Sequence, residues 1–333
     1  MIIIDELPFR FVENEGFKMF MAVACPLFSI PGRMTIGRDC LAMYKLERDK
    51  LKTFFRLTKQ RISMTTDLWT SNQNLSYMVL TAHFVDDDWK LQKRILNFVT
   101  CPKHKGEEVG LLIEECLNAW EIHSVFCITV DNATANDVIV RYLMRKFVNK
   151  GTAVVGGKHM HVRCTAHIIN LIVQNGLIQY SESIERVRHL VKYVRSSPAR
   201  CFKFDECAVK EKVLTKKSLA LDVVTRWNSS YLMLERANLF KDVFERYKIE
   251  DPSIRADFTK DGPKAFPSDE DWDVSSFMET VLENFYDATV RVSDTYYVTA
   301  NIFLDEIGTI YSLFKEWIEG PNEYLKSVAE NMK

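Results

Sequence analysis

Residues 61–100 read RISMTTDLWTSNQNLSYMVLTAHFVDDDWKLQKRILNFVT and decide the fold. Three runs in this stretch are rich in β-branched and aromatic residues, and short polar turns separate them. The second turn is the acidic DDDW at 86–89. Runs of this composition, bounded by polar clusters, are typical of β-strands joined by tight turns. The stretch therefore predicts a three-stranded antiparallel meander.

The sequence after residue 104 alternates between helical and strand patterns. The amphipathic stretch KGEEVGLLIEECLNAW (105–120) predicts a helix, and the apolar run HSVFCITVDN (123–132) is typical of a strand buried on both faces. A second helix (133–147) and a short strand running into a third helix (156–177) follow. The order β-β-β-α-β-α-β-α predicts a ribonuclease H-like α/β fold, in which a helical crossover adds a parallel strand to the meander.

The flanking regions predict helices. Apolar residues recur at helical spacing up to residue 58, and strand signals nearly disappear from about residue 181. We therefore predict an N-terminal helical segment (1–58), a ribonuclease H-like mixed-sheet core (59–180) and an all-helical insertion-type domain (181–333). The Pro- and Asp-rich stretch 251–272 predicts a loop. In the first segment, the side chains predicted to face inward are Leu41, Tyr44, Leu51, Phe54 and Phe55.

The bulk composition is that of a globular protein. The chain has 333 residues, of which 47% are hydrophobic, so it can bury a sizeable core. No apolar run approaches the ~18–20 residues of a membrane span, and we expect no membrane partner. The start, MIIIDELPFRFVENEG, has no basic region and predicts no signal peptide. Eight scattered cysteines without a CxxC pair indicate reduced thiols in a cytosolic or nuclear protein.

Charge is distributed unevenly along the chain, although the net charge is only −1. Residues 186–217, here called the basic segment, hold ten Lys or Arg against three acids. Residues 250–287, the acidic segment, hold eleven acids against three Lys or Arg. A basic cluster attracts the phosphates of nucleic acid, but the same pattern also fits a solvated helix face. Charge alone leaves both interpretations open.

Two aspartates end predicted strands. Asp67 ends the first strand and Asp131 the fourth, and these strands are neighbours in a ribonuclease H-like sheet. Both carboxylates would then project from one edge, where paired carboxylates can hold Mg²⁺ or Mn²⁺. The alternative is that each aspartate only stabilises a turn or caps a helix.

Several blocks resemble those of one known family. The stretch ISMTTDLWTSNQNLSYMVLTAHFVDDDWKLQKRILNF and the later ITVDNATAND resemble the two acidic blocks of plant hAT transposase relatives, the sleeper-type proteins. HVRCTAHIINLIVQNGL, LDVVTRWNSSYLML and FYDATVRVSDTYYVTANIF resemble further blocks of these proteins in the same order. The resemblance implies that Asp67 and Asp131 are the first two metal-binding acids of a DDE-type strand-transfer site, with Mg²⁺ or Mn²⁺ as cofactor.

The resemblance also implies roles for residues after the sheet. His167, with Cys164 of the same CxxH element, would lie beside the acids. Trp227, next to Arg226, would belong to the inserted helical domain and contact the DNA end near the cleavage point. The basic segment would face DNA at the start of that domain; its candidate contacts are Arg188, Lys192 and Arg195.

Each of these residues also has a structural interpretation. His159, His161, Cys164 and His167 form an HxHxxCxxH string, but the spacing has no regular partner, and we predict no zinc site. Cys164 can be a small buried residue. Trp227 can belong to the core, although an exposed Arg-Trp pair would suit stacking on a base.

Three parts of the family pattern are not found in this sequence. No zinc-binding BED finger pattern precedes residue 60, and no block with the third acid, a Glu, is found before Lys333. The C-terminal dimerisation region that surrounds this acid in the family is not found either. We therefore expect a nuclear, transposase-derived DNA-binding protein that is not catalytically competent as this chain. The alternatives are an active DDE-type transposase or nuclease, if another source supplies the third acid, and an interaction partner of itself or of full-length hAT-like proteins.

Overall fold

The structure is a computed structural model and describes residues 1–57, 61–101, 106–224, 226–258, 260–293 and 299–333. The chain divides into two units, Met1–Val162 and Arg163–Lys333. The two units meet between Val162 and Arg163. The sequence pattern instead predicts that the α/β core ends at residue 180. The three-part division of the chain stays a prediction.

A five-stranded mixed sheet has the order β3-β2-β1-β4-β5. Its strands are β1 (Ser63–Thr70), β2 (Ser76–Val85), β3 (Leu91–Thr100), β4 (Cys127–Val130) and β5 (His161–Arg163). Strand β1 pairs antiparallel with β2 over its whole length, and β2 pairs antiparallel with β3. Strand β4 runs parallel to β1. The predicted meander and its parallel extension are both confirmed.

Within the described residues of the first unit, four α-helices accompany the sheet: α1 (Glu15–Ala24), α2 (Arg33–Leu57), α3 (Gly106–Ala119) and α4 (Thr134–Asn149). The core of this unit contains Met64, Met78, Ile113, Ile128 and Leu143, all at most 1% exposed. These residues alternate along the strands and recur at helical spacing on α3 and α4, so one face of the sheet is buried.

Helices α3 and α4 approach each other closely at two glycines. A Cβ atom on Gly106 would lie 2.6 Å from the carbonyl oxygen of Ala135, and one on Gly110 would lie 2.8 Å from the Tyr142 ring. Real Cβ atoms essentially never approach other heavy atoms so closely. The two glycines therefore allow the backbone of α3 to pack directly on the beginning and middle of α4.

The prediction for α2 is only partly right. Phe55 is buried, and Leu51 and Phe54 pack against the core of the first unit. Leu41 and Tyr44, in contrast, are 52% and 54% exposed, so their predicted inward position is wrong. Helical spacing gives the direction of an apolar stripe, but it does not say how far along the helix a core extends.

The described part of the second unit after Arg163 contains helices joined by loops and no strand, as predicted for the region after residue 181. Its longest helices are α11 (Asp269–Ser293) and α12 (Ala300–Glu319). The others are α5 (Thr165–Ile178), α6 (Ser181–Arg195), α7 (Pro198–Lys210), α8 (Trp227–Asn238), α9 (Lys241–Glu250), α10 (Ile254–Asp257) and α13 (Glu323–Met332). The predicted loop 251–272 contains the single turn α10 and the beginning of α11.

All eight cysteines are free thiols. Among the helices in the described ranges, none is long and apolar enough to cross a membrane.

Candidate functional site

Asp67 lies on β1 and Asp131 directly follows β4, the parallel neighbour of β1 in the first unit. The prediction that Asp67 ends its strand is wrong, because β1 continues to Thr70. The parallel register pairs Ser63 with Cys127 and Thr65 with Thr129. The pairing ends there, two residues before each acid. Continued by two residues, this register would set Asp67 beside Asp131 on the same face of the sheet, with backbones about 5 Å apart. The convergence of the two acids stays a prediction.

In each of the two carboxylates, one oxygen accepts hydrogen bonds from the described residues. Oδ1 of Asp131 accepts hydrogen bonds from the backbone N–H of Ala133 (2.8 Å) and from the side-chain amide of Asn136. Oδ1 of Asp67 accepts one from the N–H of Leu68 at 2.9 Å. Asp131 therefore stabilises the turn between β4 and α4, as the structural alternative for this residue predicts. This does not exclude a ligand role, because the described residues donate no hydrogen bond to Oδ2 of either acid.

This donor set fits a hard divalent cation. Mg²⁺ takes oxygen ligands, keeps several waters, and is often bound through one or two carboxylates together with phosphate oxygens of a substrate. Over the described ranges, no group of three or more His, Cys, Asp or Glu residues is placed to hold a metal ion. The pair Asp67 and Asp131 could thus hold one ion, with water or phosphate completing its coordination.

Asn136 is a site residue that the sequence reasoning missed. It is buried in the first turn of α4, and its amide donates to the carboxylate of Asp131. The signal was present in DNATAND, because an Asp five residues before an Asn across a helix start allows this contact. Asn136 fixes the orientation of the Asp131 carboxylate, as second-layer residues do in metal sites.

Cys164 and His167 lie at the beginning of α5 in the second unit. Cys164 is the N-cap residue and His167 is in the first turn, and both are half-buried. The described residues supply no hydrogen-bond partner for the His167 ring. Their place beside the acids, which the resemblance implies, stays a prediction.

Trp227 and Arg226 have opposite environments at the start of α8. Trp227 is 3% exposed and belongs to the core of the second unit, so its ring cannot stack on a base in this structure. The core interpretation of Trp227 applies. Arg226 caps the helix and its side chain is exposed.

Two family models match the chain in succession. The "ZBED1 RNase-like domain" matches residues 65–159, and the "ZBED1 RNase-like helical domain" matches residues 162–281. A Zea mays protein named "Putative AC transposase" is 35% identical over 95% of this chain and 39% of its own length. The chain belongs to the hAT transposase family. The ribonuclease H-like core and its helical successor, expected from the sequence, are thereby confirmed.

Two further relatives of this hAT chain are the following plant proteins. The zinc finger BED domain-containing protein RICESLEEPER 2 of Oryza sativa is 31% identical over 92% of this chain and 42% of its own length. DAYSLEEPER of Arabidopsis thaliana is 27% identical over 100% of this chain and 47% of its own length. The chain thus spans about two fifths of the length of the curated relatives it matches.

Arg188 of the hAT chain is almost fully buried. Its side chain is 7% exposed; it donates to Asp222 at 2.7 Å and also pairs with Glu185. The Asp222 side chain is 0% exposed and accepts a second hydrogen bond from Ser230 at 3.0 Å. This network ties α6 to the segment before α8. The guanidinium of Arg188 is therefore engaged in the protein interior and is not available to DNA.

Much of the charge of the basic segment is paired with the acidic segment. Four cations of the first bind acids of the second: Arg186 with Asp271, Arg200 with Asp257, Lys203 with Asp251, and Lys210 with Glu250. The exposed cations of the basic segment without an ion pair among the described residues are Lys192, Arg195, Lys212 and Lys216. The ion-paired cations of the basic segment are thus engaged within the protein. Attraction of nucleic-acid phosphates stays a possible role only for its unpaired, exposed cations.

Proposed function

We propose that this chain is a transposase-derived DNA-binding protein whose ribonuclease-like unit holds a divalent metal ion through Asp67 and Asp131. The observation that carries the proposal is the parallel register of β1 and β4, whose last pair, Thr65 and Thr129, lies two residues before each of the two acids. Family membership supports it, because relatives over most of this chain are named as transposases.

The metal ion, when bound, would neutralise charge on a DNA phosphate and polarise its oxygen. The protein side chains prepare that site. Asn136 and the N–H of Ala133 hold one oxygen of Asp131, which leaves the other for the ion. Removing one member of a catalytic group usually removes most of the rate. With two acids at the site, we propose metal-dependent DNA binding, not strand transfer, as the activity of this chain.

DNA contact by the second unit is proposed for Lys192, Arg195 and Arg226. All three side chains are exposed and have no ion pair among the described residues. Each phosphate contact by a cation releases bound counterions, so binding weakens as salt rises. His167 and Cys164 are proposed to lie near the bound DNA on the strength of the family resemblance.

Metal binding is tested by titrating Mn²⁺ and following its electron paramagnetic resonance signal. We expect Asp67→Asn and Asp131→Asn each to weaken Mn²⁺ binding at least about tenfold, because each removes a charged oxygen ligand. Asp88→Asn is the matched control, since Asp88 lies in the β2–β3 turn of the same unit. Equal affinity in all three variants would contradict the metal site.

DNA binding is tested by fluorescence anisotropy with a labelled duplex over a range of salt. We expect the double variant Lys192→Ala/Arg195→Ala to lower the salt slope by about two. Lys210→Ala is the control from the same segment, because Lys210 is already paired with Glu250. Salt-independent binding, or none, would contradict the proposed function.

A second candidate function is strand transfer with a third acid supplied by another segment or chain. The pair of acids beyond the β1–β4 register favours it, because such pairs can serve two-metal phosphoryl transfer. Mn²⁺-dependent nicking that disappears in Asp67→Ala and Asp131→Ala would establish this activity. Inactivity with both Mg²⁺ and Mn²⁺, alone and with a full-length hAT relative, would exclude it.

We further propose that the chain acts in the nucleus, where its DNA partner is located, and that it associates with itself or with full-length hAT relatives. Co-purification of a tagged full-length relative under mild conditions tests the association. A single, monomeric species in the presence of such a relative would count against it.

A further inference from the structure

Three aromatic rings lie next to one another on the sheet of the first unit. The Trp69 ring stacks on Tyr77 with centroids 5.8 Å apart, and Phe98 lies 5.4 Å from Trp69 and 5.2 Å from Tyr77. We call these three residues the aromatic ladder. They come from three adjacent strands, β1, β2 and β3, and each ring contacts the other two, so the rings form one compact cluster on the sheet.

The aromatic ladder is on the same face as Asp67. Trp69 is two residues beyond Asp67 on β1, so both side chains point the same way and are about 7 Å apart along the strand. Tyr77 pairs with Trp69, and Phe98 pairs with Val79, which itself pairs with Asp67. A ligand on the rings would therefore adjoin the carboxylate of Asp67.

Two of the three residues, Trp69 and Phe98, are exposed to solvent, and Tyr77 is half-buried. Trp69 is 37% exposed and Phe98 is 60% exposed, whereas Met78 and Leu80 on the opposite face of the same sheet are fully buried. Cross-strand aromatic contacts stabilise a sheet, but that role does not require exposed ring faces. A contiguous exposed apolar patch of this kind more often marks a binding surface.

The β1–β2 turn beside the ladder is polar. Asn72, Gln73 and Asn74 are exposed there, and their carboxamides can both donate and accept hydrogen bonds. Flat rings next to carboxamide groups suit a planar ligand with polar edges. A nucleobase has both properties, and aromatic side chains on sheets bind unpaired bases by stacking.

We propose that the aromatic ladder binds an unpaired nucleobase of the DNA strand whose phosphate adjoins Asp67. The inference rests on the proposed function, since it assumes DNA at the acid pair. It adds the form of the DNA: the strand next to the acids is single-stranded or locally unpaired. A base inside a duplex cannot offer its face to the ladder, because its neighbours already stack on it.

The test compares the affinity of the chain for a labelled oligothymidine with its affinity for a fully paired duplex of the same length. We expect Trp69→Ala to weaken oligothymidine binding about 5- to 150-fold, the loss typical of one stacked base, and to leave duplex binding unchanged. Phe98→Leu, which keeps an apolar side chain but removes the flat ring, should act in the same direction.

Trp89→Ala is the matched control. Trp89 is also a solvent-exposed tryptophan of the first unit (89% exposed), but it lies in the β2–β3 turn at the other end of β2. We expect Trp89→Ala to bind both probes as the unsubstituted chain does. Circular dichroism melting of each variant shows whether a loss of binding follows from unfolding.

A second readout reports stacking directly. An oligonucleotide that contains 2-aminopurine should lose emission when its base stacks on the ladder, and Phe98→Leu should restore that emission without a change in melting temperature. Equal effects of Trp69→Ala and Trp89→Ala would overturn the proposed base binding by the aromatic ladder. Equal losses of affinity for both DNA probes in a folded variant would do the same. Neither result would contradict the proposed function. Absence of binding to both probes by the unsubstituted chain would overturn both proposals.

Discussion

At the scale of single residues, Asn136 determines how Asp131 is presented. Its buried amide donates to the carboxylate, and the helix that carries it starts directly after the acid. We predict that Asn136→Ala weakens Mn²⁺ binding about 10- to 100-fold, because the ligand loses the partner that orients it. Titration of Mn²⁺ checks this. Asn149→Ala, at the exposed end of the same helix, should bind Mn²⁺ normally; an equal loss in both variants would contradict the prediction.

The buried pair of Arg188 and Asp222 yields a prediction of stability. Arg188→Met leaves the Asp222 carboxylate without its charged partner in the protein interior. We predict a loss of about 3–5 kcal/mol in the free energy of unfolding, and recovery of most of it in Arg188→Met/Asp222→Leu, which removes both charges. Urea unfolding measures both. A double variant no more stable than the single one would contradict this account.

The sequence predicted some site residues and missed others for a physical reason. Asp131 directly follows β4, and such a strand end is visible in the apolar pattern, whereas Asp67 lies within β1, which continues to Thr70. The burial of Trp227 and Arg188 depends on which helices pack around them, and that information lies in contacts distant along the chain. Arg188 adjoins Asp222, 34 positions later, a pairing that no local pattern reveals.

At the scale of secondary-structure elements, Asp251 joins the end of α9 to α6 and α7. It is 6% exposed, accepts from the Ser253 hydroxyl at 2.6 Å and from the Tyr193 hydroxyl at 3.3 Å, and lies 3.4 Å from Lys203. Burial alone would raise the pKa of Asp251, but the hydrogen bonds of Ser253 and the charge of Lys203 outweigh it and lower the pKa from 3.8 to about 2.

This depressed pKa predicts a pH-dependent contribution to stability. Because the pKa is lower in the folded state than in the unfolded state, the contribution is present above the unfolded value and is lost as pH falls toward the folded value. It amounts to about 2 kcal/mol near neutral pH and to roughly a third of that near pH 2.5. Urea unfolding of Asp251→Asn at both pH values checks this, with Asp242→Asn as control. A pH-independent difference would contradict it.

The elements themselves were predictable to different degrees. The meander was predicted well because its three strands are adjacent in sequence and separated by clear turns. Helix α2 was predicted as a helix, but the solvent exposure of Leu41 and Tyr44 was not, since it depends on where the core ends. The turn α10 within the predicted loop is short and lacks an apolar stripe, which is why periodicity did not reveal it.

At the scale of the whole molecule, the near-zero net charge results from two opposed segments that bind each other. The ion pairs between the basic and acidic segments occupy cations that would otherwise attract phosphate. Arg200 illustrates this, because its guanidinium binds Asp257 at 2.8 Å and lies 3.8 Å from the centre of the Tyr193 ring. If the chain binds DNA as proposed, the acidic segment would limit its affinity for DNA.

This arrangement predicts that removal of an acid strengthens DNA binding. Asp257→Asn should free Arg200 and raise duplex affinity at low salt, with a salt slope steeper by about one. Asp273→Asn removes an equally exposed acid of the acidic segment that has no ion pair among the described residues, so it controls for the change in net charge. Anisotropy over a salt series measures both. Identical slopes for the two variants would contradict the prediction.

The close contact of α3 and α4 at Gly106 and Gly110 has a consequence for genetic variation. A methyl group on Gly106 would push against the carbonyl oxygen of Ala135, the residue immediately before Asn136. A mutation on the outer helix layer can thus be transmitted through one peptide to the carboxylate of Asp131. Screens for loss of the proposed metal-dependent DNA binding should therefore recover changes at Gly106 in chains whose strands and acids are all unchanged.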